Sequence, residues 1–179
     1  MSFSLERTTI GNVAKVVGGG TPSSKVEEYY GGDVSWITPK DLSGYKSKRI
    51  SSGERNITDL GLNKSSAKLL PKGTVLLTSR APIGYVAIAD QELSTNQGFK
   101  SLILKDGYDP VFFYYLLKTL VPELQARATG STFKEISGSS LKEVELSVPS
   151  ETTQKRIASI LSAFDSKIEN NNQTNQTLE

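Results

Sequence analysis

The chain has 179 residues, of which 36% are hydrophobic and 22% charged, with a formal net charge of +2; this is ordinary globular composition, enough for one domain with a sizeable core plus an appendage. It contains no cysteine and no histidine, which excludes disulfides, thiolate nucleophiles and sulfur metal sites and removes the commonest general base and zinc ligand. The longest apolar runs fall well short of the roughly 20 residues of a membrane span, and the start lacks the basic-then-apolar order of a secretory signal, so a cytoplasmic protein is the expectation.

In chain order, the first part reads as short strands punctuated by Gly, Pro, Ser and Asn. The runs are Val34–Ile37, Val75–Leu77, Tyr85–Ala89, Ser101–Leu104 and Val144–Val148. Pro71-Lys72-Gly73 and Ala81-Pro82-Ile83-Gly84 supply turn chemistry ahead of the second and third, and a β-hairpin through Pro82 is predicted. From Lys40 to Arg80 there are nine basic residues against three acidic ones. Such a local excess suits a phosphate-facing surface on an otherwise neutral body, the alternative being a solvated loop region. A helix follows, with Asp109 as N-cap, Pro110 at its first position and Phe112, Phe113, Leu116, Leu117, Leu120 and Leu124 at helical spacing as a core face; Pro122 should kink or break its last turns.

The end of the chain differs. Ser150 is placed to cap a helix in which Ile157, Leu161, Phe164 and Ile168 recur at alternating four- and three-residue steps, the register continuing through Asn171 and Asn175 to Leu178. Residues 151–179 would extend roughly 43 Å as one helix, more than a small domain needs to close its own core. A partner helix along this seam is one reading, since polar Asn at seam positions sets register; an amphipathic helix folded back onto the domain is the other.

Several enzyme motifs fail on inspection. Gly19-Gly20-Thr21-Pro22-Ser23-Ser24-Lys25 superficially matches a phosphate-binding loop, but Ser24 stands where Gly is required, Val26 where Ser or Thr is required, and Pro22 removes a backbone donor. No glycine-rich dinucleotide loop, no amino-methyltransferase motif and no dense acidic cluster for a metal-dependent nuclease is found, so no catalytic and no metal-ligating residue is assigned.

A set of landmarks, in this order and spacing, resembles one unit of the specificity (S) subunit of type I restriction-modification systems over nearly the whole chain. They are Gly18-Gly19-Gly20-Thr21-Pro22-Ser23, Trp36–Leu42, Leu70–Leu76, Ser79–Gly84, Ser94-Thr95-Asn96-Gln97-Gly98-Phe99, Gly130-Ser131-Thr132 and Gln154–Ala158. The resemblance implies an α+β (mixed α/β) target recognition domain at residues 1–149, with a twisted, mostly antiparallel sheet, and a long coiled-coil-type spacer or dimerisation helix at residues 150–179. It implies recognition of one half of a bipartite duplex DNA site and docking to modification (M) and restriction (R) subunits, with no chemistry and no cofactor on this chain. S-adenosylmethionine, ATP and Mg²⁺ would belong to the partner subunits. The family's full subunit has two recognition domains and two helices. A half-subunit completed by homodimerisation through the terminal helix, a fragment and an engineered truncation all fit one of each; a heptad still running at the last residue favours a missing continuation.

DNA readers use phosphate contacts for position and base-edge contacts for specificity. Lys40, Lys46, Lys48, Arg49 and Lys134 are the phosphate candidates, with Thr21 and Ser23 beside a Gly-rich turn. Arg80 suits guanine, its planar fork donating to O6 and N7, and Asn96 or Gln97 suits adenine. Asn96 and Gln97 could equally bridge loops, Arg80 could sit in a structural ion pair, and Trp36 reads as core rather than a stacking platform. Ile157, Leu161, Phe164, Ile168, Asn171 and Asn175 are the helix-pairing candidates. Two other functions stay open: a protein-interaction module acting through the terminal helix, and a fragment of a single-chain methyltransferase or nuclease.

Overall fold

The computed structural model describes residues 4–80, 82–131 and 134–178, with side chains of the last helix described as far as residue 175. Of the landmark and seam residues, Ala81, Thr132 and the side chain of Leu178 lie outside the described residues. In chain order the elements are β1 (Leu5–Thr9), α1 (Ile10–Val13), β2 (Ala14–Gly18), β3 (Tyr30–Ile37), β4 (Arg49–Ile50), β5 (Arg55–Ile57), α2 (Asp59–Asn63), β6 (Val75–Leu77), β7 (Val86–Ala89), β8 (Ser94–Thr95), β9 (Lys100–Leu104), α3 (Pro110–Ala126), α4 (Gly138–Lys142), β10 (Glu145–Pro149) and α5 (Glu151–Leu178).

Three sheets form. The largest has the order β2-β9-β6-β7-β4; a three-stranded sheet has the order β5-β3-β8, and β1 pairs β10. Only β3/β8 and β4/β7 are parallel among these pairings, so the mixed, mostly antiparallel architecture that the resemblance implied is the one observed. All five strand runs and the predicted hairpin are present. In the hairpin, the Thr78 hydroxyl donates to the Pro82 carbonyl at 2.7 Å and accepts the Tyr85 N–H at 2.9 Å, while Gly84 turns the chain at φ +109°.

The β6 run is apolar throughout because both its faces are covered, as expected for a strand buried on two sides. Val75 and Leu77 point into a core shared with α1, α3 and α4, including Phe113, Leu117, Leu124, Leu141 and Val144. Leu76 points the opposite way, into a second core with Ile37, Leu42, Ile50, Leu70, Leu93 and Phe99. Trp36 is buried, donates its indole N–H to the Gly20 carbonyl at 3.0 Å and meets the Tyr30 ring edge-on, which places it in the core as expected.

Helix α3 starts where its sequence says it should, with the Asp109 carboxylate accepting the Phe112 N–H at 2.8 Å. Pro122 does not end it: the helix continues to Ala126, with Pro122 on the exposed side. The shorter helices are hydroxyl-capped, by Thr9 on α1, Thr58 on α2 and Ser137 on α4.

Helix α5 is tied to the body at its first turn. Gln154, almost fully buried, accepts the Asp109 N–H at 3.0 Å and donates to the carbonyls of Pro149 at 2.9 Å and Gly107 at 3.4 Å. Ala158 is buried one turn later and Ile157 packs on the same core. Replacing Gln154 by Leu keeps the volume but strands the buried Pro149 carbonyl and the half-buried Asp109 N–H, so equilibrium denaturation of Gln154→Leu should show a loss of about 2–4 kcal/mol.

Candidate nucleic-acid interface

Four separate segments meet at one end of the five-stranded sheet, where β2 and β6 finish and β9 begins. The Gly-rich turn after β2 lies directly on the loop before β9: the Gly20 N–H donates to the Thr95 carbonyl at 2.9 Å and the Gly19 N–H to the Phe99 carbonyl at 3.4 Å. The approach is so close that a Cβ on Gly19 would stand 1.9 Å from the Asn96 carbonyl oxygen, whereas one on Gly18 would meet nothing within 4 Å. The Thr21 hydroxyl then bonds the Gln97 carboxamide across this junction. Asn96 is used differently: its carboxamide oxygen accepts the Gly98 N–H at 2.8 Å and closes its own turn. Gln97, Thr21 and Ser23 are exposed and Asn96 is half-buried.

The third and fourth segments are Ser79–Arg80 and Thr129–Ile136, clipped by the Ile136 N–H donating to the Ser79 carbonyl at 3.0 Å and by a β-bridge between Arg80 and Glu135. Gly130 turns this last segment at φ +117°. The Glu135 carboxylate sits between two cations, 3.4 Å from an Arg80 guanidinium nitrogen and 3.0 Å from the Lys100 ammonium. Lys100 faces Gly18 in the β2/β9 register, which puts all of these residues at one strand end. Arg80 is thus ion-paired yet half-exposed, and its five-donor fork exceeds what one carboxylate oxygen occupies. Lys134 is exposed beside it.

The basic segment has a more divided fate. Lys40 is exposed and bonds Glu54 at 2.6 Å, a contact that raises its pKa; its turn packs beside the same loop through Pro39, which lies against Gly98. Arg49 and Lys72 share Asp90, at 3.4 Å and 3.8 Å. Arg55 lies over the Tyr30 ring, 4.3 Å from its centre. Lys46 is exposed. Lys48 turns the other way, toward α5, and its side chain is 18% exposed. Its ammonium is 3.1 Å from the Asp165 carboxylate and 2.9 Å from the Ser162 hydroxyl. Burial works to lower the Lys48 pKa, but Tyr115 and Asp165 outweigh it and the net shift is upward. Burial likewise works to raise Asp165, and Tyr115 and Lys48 reverse that into a net lowering. The sign follows for each: the Asp165 contribution is full above the ordinary carboxylate range and lost as pH falls through its lowered value, and the Lys48 contribution is full below the ordinary lysine value and lost only above it. The pair is therefore constant from about pH 5 to 10.

Among the seam residues, Ile157 and Leu161 are half-buried, while Phe164 is 63% and Ile168 58% exposed, and Asn171 and Asn175 are exposed. Ile160, which the heptad reading passed over, is 50% exposed and joins Leu5, Phe112, Pro149 and Ile157 in an apolar groove of ≈ 800 Å³. Lys100 and Glu135 were also missed as site residues; Lys100 could have been found from its register opposite Gly18, whereas the return of Glu135 to Arg80 has no local signal. Among the described residues there is no metal-capable group of three or more Asp, Glu, His or Cys, and no helix is long and apolar enough to cross a membrane.

Gly19→Ala should cost about 1–3 kcal/mol because its Cβ meets fixed backbone, and Gly18→Ala should melt close to the parent chain; thermal denaturation of the two separates backbone approach from mere glycine content.

Comparison with known proteins bears on this geometry. Residues 5–179 match the family model for the type I restriction modification DNA specificity domain. The chain is 53% identical over 172 residues to the type I restriction enzyme MjaIX specificity subunit of Methanocaldococcus jannaschii, covering 95% of this chain and 40% of that one. It is 29% identical over 168 residues to the EcoR124I/EcoR124II specificity subunit of Escherichia coli, covering 90% and 41%. The crystal structure of the HsdS subunit from Thermoanaerobacter tengcongensis superposes with a TM-score of 0.72 at 20% identity, covering 97% of this chain and 40% of that one. The chain therefore spans about two-fifths of the length of the relatives it matches.

Proposed function

The chain belongs to the family of type I restriction modification DNA specificity domains, and from that membership we propose that it reads one half of a bipartite duplex DNA site and performs no chemistry itself. The observation that carries this reading is the convergence of Thr21, Gln97, Arg80 and Lys100 from separate segments on one sheet end, held in place by backbone contacts. Arg80 and Gln97 supply donor sets of the kind that discriminate guanine and adenine in the major groove, and Lys46 and Lys134 supply exposed cations for phosphate. A methyltransferase or nuclease reading finds no support in the residues gathered there.

In this proposal the partners are duplex DNA, the M subunits that bring S-adenosylmethionine chemistry, and the R subunits that bring ATP- and Mg²⁺-dependent chemistry, all working in the cytoplasm. Residues 150–179 act as the spacer, pairing through Phe164, Ile168, Asn171 and Asn175 with an equivalent helix, and a second recognition module completes the bipartite reader. A single module makes few contacts, so affinity for one half-site should be weak.

Binding to a randomised duplex library, sequenced after selection, tests the reading. A short enriched sequence is expected, with log affinity falling linearly against log salt. Arg80→Ala should relax preference at one base pair by about 1–3 kcal/mol, while Lys46→Ala should weaken all sequences alike and lower the salt slope by about 1. Absence of enrichment together with salt-independent binding would sink it. Light scattering tests the helix separately: the parent chain should gain mass with concentration, and Phe164→Glu with Ile168→Glu should stay monomeric.

A further inference from the structure

Helix α5 is held at two places, and the second has no role in closing the core. The first is the Gln154–Ala158 turn, where the helix is buried. The second lies around Asp165, seven residues and thus about 10 Å further along the axis than Ala158. There the Asp165 carboxylate accepts the Tyr115 hydroxyl at 2.5 Å and faces the Lys48 ammonium at 3.1 Å. Lys48 also bonds Ser162 and lies 4.9 Å from the centre of the Tyr115 ring. Tyr114, beside Tyr115 on α3, takes Lys118 over its own ring at 5.0 Å. Three parts of the molecule meet at this point: the entry to β4, the middle of α3 and α5. From Phe164 through residue 175 every described side chain is exposed.

We propose that Lys48, Tyr115 and Asp165 form a positioning node that fixes the direction and rotation of α5 as it leaves the body, and through them the separation of the two half-sites a paired reader accepts. The first part stands on the geometry alone; the second rests on the function proposed above.

The body end of the node is stiff. The Lys48 carbonyl accepts the Ile88 N–H at 2.9 Å, so its backbone is part of the β4/β7 sheet edge. Tyr115 sits on a helix whose Phe113 and Leu117 are fully buried. The node is shielded on one side: Lys48 is mostly covered while Asp165 is 49% exposed, and the carboxylate has a second donor in Tyr115. An exposed pair would contribute little, and its loss would move nothing.

Leverage makes the node matter. With the pivot at Ala158, a displacement of 1 Å at Asp165 becomes roughly 3 Å at residue 178 if the helix moves as a rod of constant rise. Rotation is set at the same point. Asp165 is about 100° around the axis from Phe164 and about 140° from Ile160, so holding Asp165 against Tyr115 turns those two side chains off the body. Both quantities, tilt and azimuth, decide how a second helix can lie along the first. Lys48 also sits between Lys46 and Arg49, so the basic run is joined covalently to the residue that steers the helix.

The absence of native cysteine permits a direct measurement. Cysteines placed at the exposed positions Glu92 and Asn172 carry spin labels, and the distance between them is read by double electron–electron resonance, with the labelled chain diluted into unlabelled chain so that only intramolecular pairs count. The parent chain should give one narrow distribution. Asp165→Ala, which keeps a good helix former, should broaden it or move its mean by several ångström, and Tyr115→Phe, which removes one hydroxyl and keeps the ring, should do so less. Thermal midpoints should stay within a few degrees of the parent's. Distributions that superimpose on the parent in both variants overturn the node; should Asp165→Ala fail to fold, Tyr115→Phe decides alone. For the paired reader, selection from a library of duplexes with randomised half-sites and separations should return the parent's half-site with altered preferred separation. Unchanged separation beside altered distances overturns the coupling to DNA. No enriched half-site in the parent chain, with the distances altered in the variants, overturns the DNA reading and leaves the node standing.

Discussion

The five-stranded sheet is covered on both faces, by α1, α3 and α4 on one side and by the residues around Ile37, Leu42, Leu70 and Phe99 on the other. Around its central strand β6 such a sheet has no face left to offer a ligand, and β6 and β7 carry only apolar residues. Recognition chemistry is thereby pushed to the strand ends, where backbone donors and acceptors run out of ladder partners and loops begin. At the end formed by Gly18, Lys100 and Thr78, four loops compete for the same space. They fit because Gly19 lets backbone lie on the backbone of Thr95 and Asn96, at a separation no side chain would permit, and Gly20 does the same against Ser66 and Ala67. The polar residues exposed there owe their positions to that contact and to the rigid strands behind it.

The parts of this arrangement legible in the sequence were those with local causes. Val75–Leu77 and Ser101–Leu104 are β-branched or aliphatic runs between turn residues, and the Asp109-Pro110 start of α3 is a capping signal complete within four residues. Short elements escaped because they are made by partners distant in sequence. β8 is two residues long and exists through its parallel pairing with Trp36 and Ile37. β4 likewise depends on β7, and α1, four residues long, depends on the Thr9 cap and on burial of Ile10 and Val13. Pro122 illustrates the opposite case: its local rule is real, but the helix runs on to Ala126, with Leu124, two residues later, fully buried.

Charge shows the same divide between local and spatial reasoning. Nine basic residues against three acidic ones between Lys40 and Arg80 look like a continuous cationic surface when read along the chain. In space, Asp90, Glu135 and Asp165 come from outside the segment and pair with Arg49, Lys72, Arg80 and Lys48. What remains is a surface in which some cations are oriented by carboxylates and others, such as Lys46, are exposed. For nucleic acid that difference has consequences: a mobile lysine neutralises phosphate wherever it finds it, whereas a guanidinium held by a carboxylate presents its remaining donors in one direction. Arg80, held by Glu135 at the strand end, is of the second kind.

The terminal helix gathers the remaining tension between the two readings of its seam. Its first turns behave as an amphipathic helix docked on its own domain, with Gln154 and Ala158 buried and Ile157, half-buried, packed against the core. From Phe164 onward it behaves as a helix awaiting something else, with large apolar side chains more than half exposed. A monomeric domain gains nothing from keeping Phe164 and Ile168 in water, and leaving them exposed costs about as much as burying them would return. The 3.6-residue repeat decides where one behaviour gives way to the other. On a straight helix Leu161 lies about 40° around the axis from Asp165, on the side held to the body, and is half-buried; Ile160 and Phe164 lie about 140° and 100° away and face outward, and Ile168, about 60° from Asp165 and about one turn beyond it, is exposed.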